Sequence, residues 1–238
     1  MQDLLTPTPL IYELQMRIEI KNIKKSYSKK EVLRDVSFSL ESGECVGILG
    51  GNGCGKSTLL SILAGNIKKD SGSFEADGKD IFSSPQMQTS FVGYVPQGTP
   101  LMEELTARDN LSLWYDKTTM KNELQNGVLS MLGISEFLNT TVSKMSGGMK
   151  KRLSIGCAVA GRPPILLLDE PGAALDILCK KAIADYIDGY KKAGGAVILV
   201  THDPMELELC DKWFVISNGV SVPYEYTGDL GDLARRLK

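Results

Sequence analysis

Apolar residues along this chain follow two rhythms. From residue 16 the order Met16-Arg17-Ile18-Glu19-Ile20 alternates apolar with polar, and Val36-Ser37-Phe38-Ser39-Leu40 does so again. A period of two places one face of a strand on a core and leaves the other to water. Three segments are instead apolar or small throughout: Cys45-Val46-Gly47-Ile48-Leu49, Ile165-Leu166-Leu167-Leu168 and Ala196-Val197-Ile198-Leu199-Val200. Such runs suit strands of a parallel sheet covered on both faces. Residues 73–76, 91–95 and 212–217 complete the predicted strands.

Helical spacing governs residues 57–63 and 175–192, the second stopping at Gly194-Gly195, a glycine end suited to a helix C-cap. Between residues 105 and 161 the rhythm is helical, with helices predicted over 106–115, 123–132 and 147–160. This block interrupts the alternation of strand and helix. The sequence therefore predicts a doubly wound α/β core with an inserted helical subdomain. Residues 1–15 hold Pro7 and Pro9 without a clear period and are read as an N-terminal arm.

Composition narrows the picture. A chain of 238 residues can bury one sizeable core, or one core with a modest subdomain. The net charge is −2 and the lysine pairs at 24–25, 29–30, 68–69, 180–181 and 191–192 are scattered. They read as solvated faces, and no nucleic-acid partner is expected. No apolar run approaches the roughly 20 residues that span a bilayer, and the N-terminus lacks the pattern of a signal peptide. The five cysteines (45, 54, 157, 179 and 210) are odd in number and form no C-x-x-C, as expected of reduced thiols in the cytosol.

The chemistry begins after the first apolar run. Gly50-Gly51-Asn52-Gly53-Cys54-Gly55-Lys56-Ser57-Thr58 stands between a predicted strand and a predicted helix. In that setting G-x-x-x-x-G-K-[ST] turns successive backbone N–H groups onto phosphate oxygens at the positive end of a helix. Lys56 reaches the β- and γ-phosphates of a nucleoside triphosphate, and the Ser57 hydroxyl takes a place on Mg²⁺. The strand at 165–168 ends in Asp169-Glu170, at the carboxyl edge of the sheet where this loop also lies. Asp169 there is expected to hold Mg²⁺ and Glu170 to orient or deprotonate the attacking water. His202, the only histidine, follows the strand at 196–200 and is placed to hydrogen-bond the γ-phosphate. Ser146-Gly147-Gly148 precedes another helix, with Ser146 as its N-cap, and forms a second anion site. One nucleotide cannot fill two separated sites on one subunit, so a second copy is expected to join them.

With these elements in this order, the chain resembles the ATP-binding subunits of ABC transporters over residues 16–225. The resemblance makes residues 50–58 the Walker A loop, 165–170 the Walker B strand and 145–149 the signature usually written LSGGQ. It implies that Tyr27 stacks on adenine, so that the nucleotide is ATP. Gln97, in Tyr94-Val95-Pro96-Gln97, matches the glutamine that touches Mg²⁺ and senses the membrane partner. Asp176, in Ala174-Leu175-Asp176, matches the loop that crosses the dimer interface, and His202 matches the switch histidine.

The implied fold is α/β: a P-loop NTPase core with a mixed β-sheet, an antiparallel β subdomain and an inserted helical subdomain. Residues 16–97 and 162–238 would form the core and β subdomain, and 98–161 the helical subdomain. The implied partners are a second ATPase subunit, identical or not, and separate transmembrane permease subunits that hold the chain on the inner face of the membrane. Gly51 stands where proline is common, Met145 and Met149 replace the usual leucine and glutamine of the signature, and Ala173 replaces an interface serine. None of these departures removes a catalytic group.

Leu105-Thr106-Ala107-Arg108-Asp109-Asn110-Leu111 together with Ser-Gly-Gly-Met leans toward exporter-type relatives, and the length leaves no room for the C-terminal regulatory domain of some sugar importers. Non-transport ABC ATPases form the rival class, but they need long coiled coils or two cassettes in one chain. A non-hydrolysing module is the third, opposed by Lys56, Asp169, Glu170 and His202. Cys54, inside the loop, reads first as a small residue that fits and second as a reactive thiol at a helix N-terminus.

Overall fold

In the computed structural model, residues 15–236 are described; of the arm expected over residues 1–15, all but Gln15 lies outside them. The two alternating segments become the halves of one long hairpin, β1 (Arg17–Tyr27) and β2 (Lys30–Glu41). Both strands run further than their alternation suggested. Register shifts between Ile20 and Ile23, and again between Ile23 and Lys25, break the period without ending the pairing.

The chain continues through β3 (Cys45–Leu49), α1 (Lys56–Leu63), β4 (Ser71–Ala76), β5 (Lys79–Asp80), α2 (Pro85–Phe91) and β6 (Val92–Val95). A helical stretch follows: α3 (Ala107–Ser112), α4 (Lys117–Asn126), α5 (Val128–Met131) and α6 (Gly147–Ala158). Then come β7 (Ile165–Asp169), α7 (Ile177–Lys192), β8 (Ala196–Val200), α8 (Pro204–Leu207), β9 (Lys212–Ser217), β10 (Val220–Tyr224) and α9 (Leu230–Arg236).

The ten strands among the described residues join in one sheet, in the order β5-β4-β1-β2-β10-β9-β3-β8-β7-β6. β9, β3, β8, β7 and β6 are mutually parallel, whereas β5, β4, β1 and β2 are antiparallel. The mixed α/β sheet with an antiparallel portion and a helical insertion is the fold class expected from the sequence.

Fully apolar strands serve two cores at once. Leu166, Leu168, Val197 and Leu199 face a core shared with Leu111, Leu129, Leu153, Ile155, Ile183 and Ile187 of the helices. Their neighbours Ile165, Leu167, Ile198 and Val200 face a second core with Leu59, Leu63, Ile18, Phe38 and Phe74. Each such side chain contributes about 2 kcal/mol on leaving water, which is why no polar residue interrupts these runs.

Two helical expectations change. The segment 123–132, read as one helix, is split between α4 and α5. Gly127 between them is extended, and the Glu123 carboxylate accepts from Val128 N at 2.8 Å, so a side chain takes the donor that a continuous helix would have used. α2 is an added helix that ends at Phe91, which alternation had assigned to a strand. Its start is chemically marked: Ser84 accepts from Met87 N at 3.1 Å and Pro85 takes the first helical turn.

Candidate functional site

Strand register puts the candidate residues at one edge. Ile48 pairs with Val200, Asp169 also with Val200, and Val95 with Leu168. The carboxyl ends of β3, β8, β7 and β6 therefore align, and the loops that leave them meet.

The loop after β3 wraps the start of α1. Gly55 is the N-cap with φ 111° and supplies no side-chain cap, so first-turn amides are left for a ligand. A Cβ on Gly50 would lie 2.4 Å from Cys54 Sγ and 2.8 Å from the Ile216 carbonyl oxygen; only glycine fits there. Half-buried Cys54 thus fills space against Gly50 and the second core. The Lys56 ammonium donates to the carbonyls of Gly50 at 2.7 Å and Gly51 at 3.2 Å, tying the loop to its own lysine.

Asp169 and Glu170 differ in setting. Asp169 is buried, and burial raises its carboxyl above the ordinary value against an opposing hydrogen bond from the Ser57 hydroxyl; Glu170 adds to the rise, while Lys56 and Lys151 oppose it. Glu170 sits at φ 47°, a left-handed backbone fixed by its N–H donating to Val200 O at 2.8 Å. Strain of this kind collects where a side chain must be aimed. Gln97 Nε2 donates to Glu170 Oε2 at 2.8 Å. Val32, Asn52, Gly53, Gly55, Lys56, Ser57, Thr58, Gln97 and Glu170 line one cleft of about 530 Å³.

His202 borders a smaller neighbouring cavity of about 270 Å³, which Glu170 also lines. Desolvation first, then the Lys56 ammonium, holds the imidazole below its ordinary pKa, against the pull of Glu170. A neutral imidazole carries one N–H donor.

Other expected residues lie elsewhere. Tyr27 is exposed and does not line the cleft; Lys25 Nζ sits 5.3 Å from its ring centroid. Ser146 caps α6, accepting from Met149 N at 3.2 Å, and Asp176 caps α7, accepting from Cys179 N at 2.9 Å. The two helix starts press together: a Cβ on Gly147 would lie 3.7 Å from Leu175 Cδ2, and one on Gly148 2.4 Å from Cys179 Sγ. Ser146, Gly147 and Gly148 are thus brought to Asp176, and none of the four lines the phosphate-side cleft.

Glu206 and Lys151, both buried and charged, were missed near the site. Glu206, inside α8, is held by the Thr201 hydroxyl, and burial pushes its carboxyl up to about 7. Lys151 is buried on the inner face of α6, in step with Gly148, Ser154 and Ile155. That spacing was the available signal. Of the lysines read as solvated, Lys180 pairs with Asp203 at 2.5 Å and Lys191 with Asp211 at 2.8 Å.

Oxygen donors at the cleft suit a hard divalent cation: the Ser57 hydroxyl on the Asp169 carboxylate, with the Gln97 amide nearby. Among the described residues no group of three or more His, Cys, Asp or Glu could cage a metal. The hydroxyl, carboxylate and amide oxygens fit Mg²⁺, which shares one or two protein ligands with substrate phosphates.

A family model described as "ABC transporter" matches residues 33–173. The linearmycin resistance ATP-binding protein LnrL of Bacillus subtilis is 35% identical over 225 residues, covering 92% of this chain and 71% of that protein. The methionine import ATP-binding protein MetN of Clostridioides difficile is 37% identical over 214 residues, covering 85% and 66%. Among solved structures, an ATP-binding subunit of an ABC transporter superimposes with a TM-score of 0.82 at 26% identity, over 92% of this chain and 98% of its own. A dimeric post-hydrolysis state of the ATP-binding cassette MJ0796 bound to ADP and Pi gives 0.76 at 26% identity, over 87% and 98%.

Proposed function

The chain belongs to the ABC transporter family as an ATP-binding subunit, and we propose that it hydrolyses Mg²⁺-bound ATP in a head-to-tail dimer that drives separate permease subunits. The observation that carries this reading is the convergence of the Lys56 loop, Ser57, Gln97 and Glu170 on one cleft, with the buried Asp169 carboxylate hydrogen-bonded to Ser57.

In this reading the phosphates lie on the amides of residues 50–58, with Lys56 and Ser57 on their oxygens and Tyr27 against the adenine. Ser57, Gln97 and Asp169 would hold Mg²⁺, which would supply positive charge against the substrate phosphates. Glu170 accepts the proton of the attacking water as its oxygen reaches phosphorus and the bond to ADP breaks. Gln97 holds Glu170 Oε2 and so orients the carboxylate, whose second oxygen is available to the water. His202, neutral, donates its N–H to the γ-phosphate.

The second half of each site comes from the partner copy. Ser146, Gly147 and Gly148 offer a capped helix start to the γ-phosphate, and Asp176 beside them lies at the same interface. The pressing together of those two helix starts supports one shared docking face. The proposed permease face is the region of residues 97–115, where Met102, Leu113 and Trp114 are exposed. The reading assigns the membrane crossing to permease subunits that would hold this chain on the inner face; no helix among the described residues is long and apolar enough to cross a membrane. Relatives named for import and for resistance match alike, and direction is assigned to the permease.

The test is Glu170→Gln. ATP affinity should stay within about threefold while turnover falls at least about 100-fold, measured as phosphate release. Wild-type turnover by the variant would remove Glu170 from its role. Copurification of a multi-span membrane protein with the full chain checks the transport assignment; a chain isolated from native membranes without one favours the non-transport class.

A further inference from the structure

Lys151 is an ammonium that is 4% exposed, and it spends its donors on backbone. Its Nζ donates to Pro96 O at 2.9 Å and to Gln97 O at 3.0 Å. Two consecutive carbonyls turned onto one charged donor fix the local path of the chain. The side chain of the same Gln97 donates to Glu170 Oε2 at 2.8 Å. An unbroken line of contacts therefore runs from α6 through Lys151 and Gln97 to Glu170.

We propose that Lys151 is a positioning residue that passes the position of α6 to Glu170 by holding the backbone of Gln97. The start of α6 is Ser146, so a nucleotide phosphate engaging that helix end lies about 7.5 Å along the axis from Lys151. Displacement of α6 carries the Pro96 and Gln97 carbonyls with it and changes whether the Gln97 amide restrains the Glu170 carboxylate. Lys150 reinforces the grip further along the same segment, reaching Glu103 Oε1 at 2.8 Å. Burial lowers the Lys151 pKa, while Asp169, Glu206 and Glu170 pull it up, so the ammonium stands within the field of the site acids. In kinetic terms the inference rests on the ATPase reading; in structural terms it does not.

The experiment has two arms. In nucleotide-free full-length protein, Lys151→Met keeps the aliphatic stem and removes the donors. Amide hydrogen exchange over residues 97–101 should quicken at least about fivefold, while the loop at 50–58 is unchanged. Unchanged exchange at 97–101 overturns the inference. In steady-state ATP hydrolysis, Lys151→Met should lower kcat about tenfold with KM within about threefold, and Lys151→Arg should recover most of the loss. In a Gln97→Ala background, Lys151→Met should have no further effect on kcat, because the path is already cut. An equal loss in both backgrounds, or no loss in either, overturns it. If Lys151→Met does not fold, Lys151→Leu, which also lacks a donor, serves in both arms. Absence of ATP hydrolysis by the wild type would defeat the ATPase reading, and the exchange arm would still decide the Lys151 link.

Discussion

At the scale of single residues, the glycine loop was legible because its chemistry is local: eight consecutive positions, Gly50 to Ser57, hold both the turn and the lysine. Lys56 then does two things, holding the Gly50 and Gly51 carbonyls and standing where phosphate is expected. Lys56→Ala should weaken ATP binding at least about 100-fold, roughly 2.7 kcal/mol, by titration with a fluorescent ATP analogue. Affinity within threefold of wild type would remove Lys56 from the phosphate site.

Glu206 was illegible because nothing in Asp203-Pro204-Met205-Glu206 announces burial; its setting comes from Thr201 and Asp203, with Lys180 beyond. Its folded pKa of about 7 lies above the ordinary 4.5. The folded state therefore binds the proton more tightly, and that contribution is complete below about 4.5 and lost as pH rises through 7. Relative to Glu206→Gln, the wild type should lose roughly 2.5 kcal/mol of unfolding free energy between pH 5 and 8, followed by urea denaturation. Parallel pH dependences of the two proteins would contradict the assignment.

At the scale of elements, the strands that are apolar on both faces were read almost to the residue, since nothing but burial explains Ile165-Leu166-Leu167-Leu168. Elements whose identity depends on partners were not. β10 carries Pro223, which argues against a central strand. It is tolerated because β10 pairs fully only with β9 and meets β2 at one register point, Val220 with Asp35. The division of 123–132 depended on a side chain capping from within, and the true start of that helical segment is Asp116. Asp116 accepts from Thr118 N at 2.8 Å and Thr119 N at 2.9 Å. Asp116→Ala should cost about 1 kcal/mol of stability, read from the denaturant midpoint; no shift would mean that α4 is held by packing alone.

At the scale of the whole molecule, the arrangement of parallel strands follows from their sequence pattern, but their order does not. Four strand ends had to be aligned by register before Lys56, Ser57, Gln97 and Glu170 could share one cleft. The signature start lies apart from that cleft, and this separation is what asks for a second copy. With ATP, the Glu170→Gln protein should run at about twice 25.9 kDa in size-exclusion chromatography, and without ATP as a monomer. A monomer under both conditions would leave the shared-site arrangement without support.

The seam between β2 and β10 carries one more consequence. Ser37 N donates to Ser221 Oγ at 2.8 Å across 184 positions of chain, and Arg34 N and Asp35 N both donate to Gly219 O. On a ribosome adding roughly 5–20 residues per second, β2 waits about 10–40 s for the strand that covers its edge. During that time the β1–β2 hairpin carries an uncovered row of amides and carbonyls, the kind of edge that recruits stray strands. Vectorial synthesis thus makes the nascent first third of this chain its most aggregation-exposed state, and one that ends only when residues 219–221 emerge.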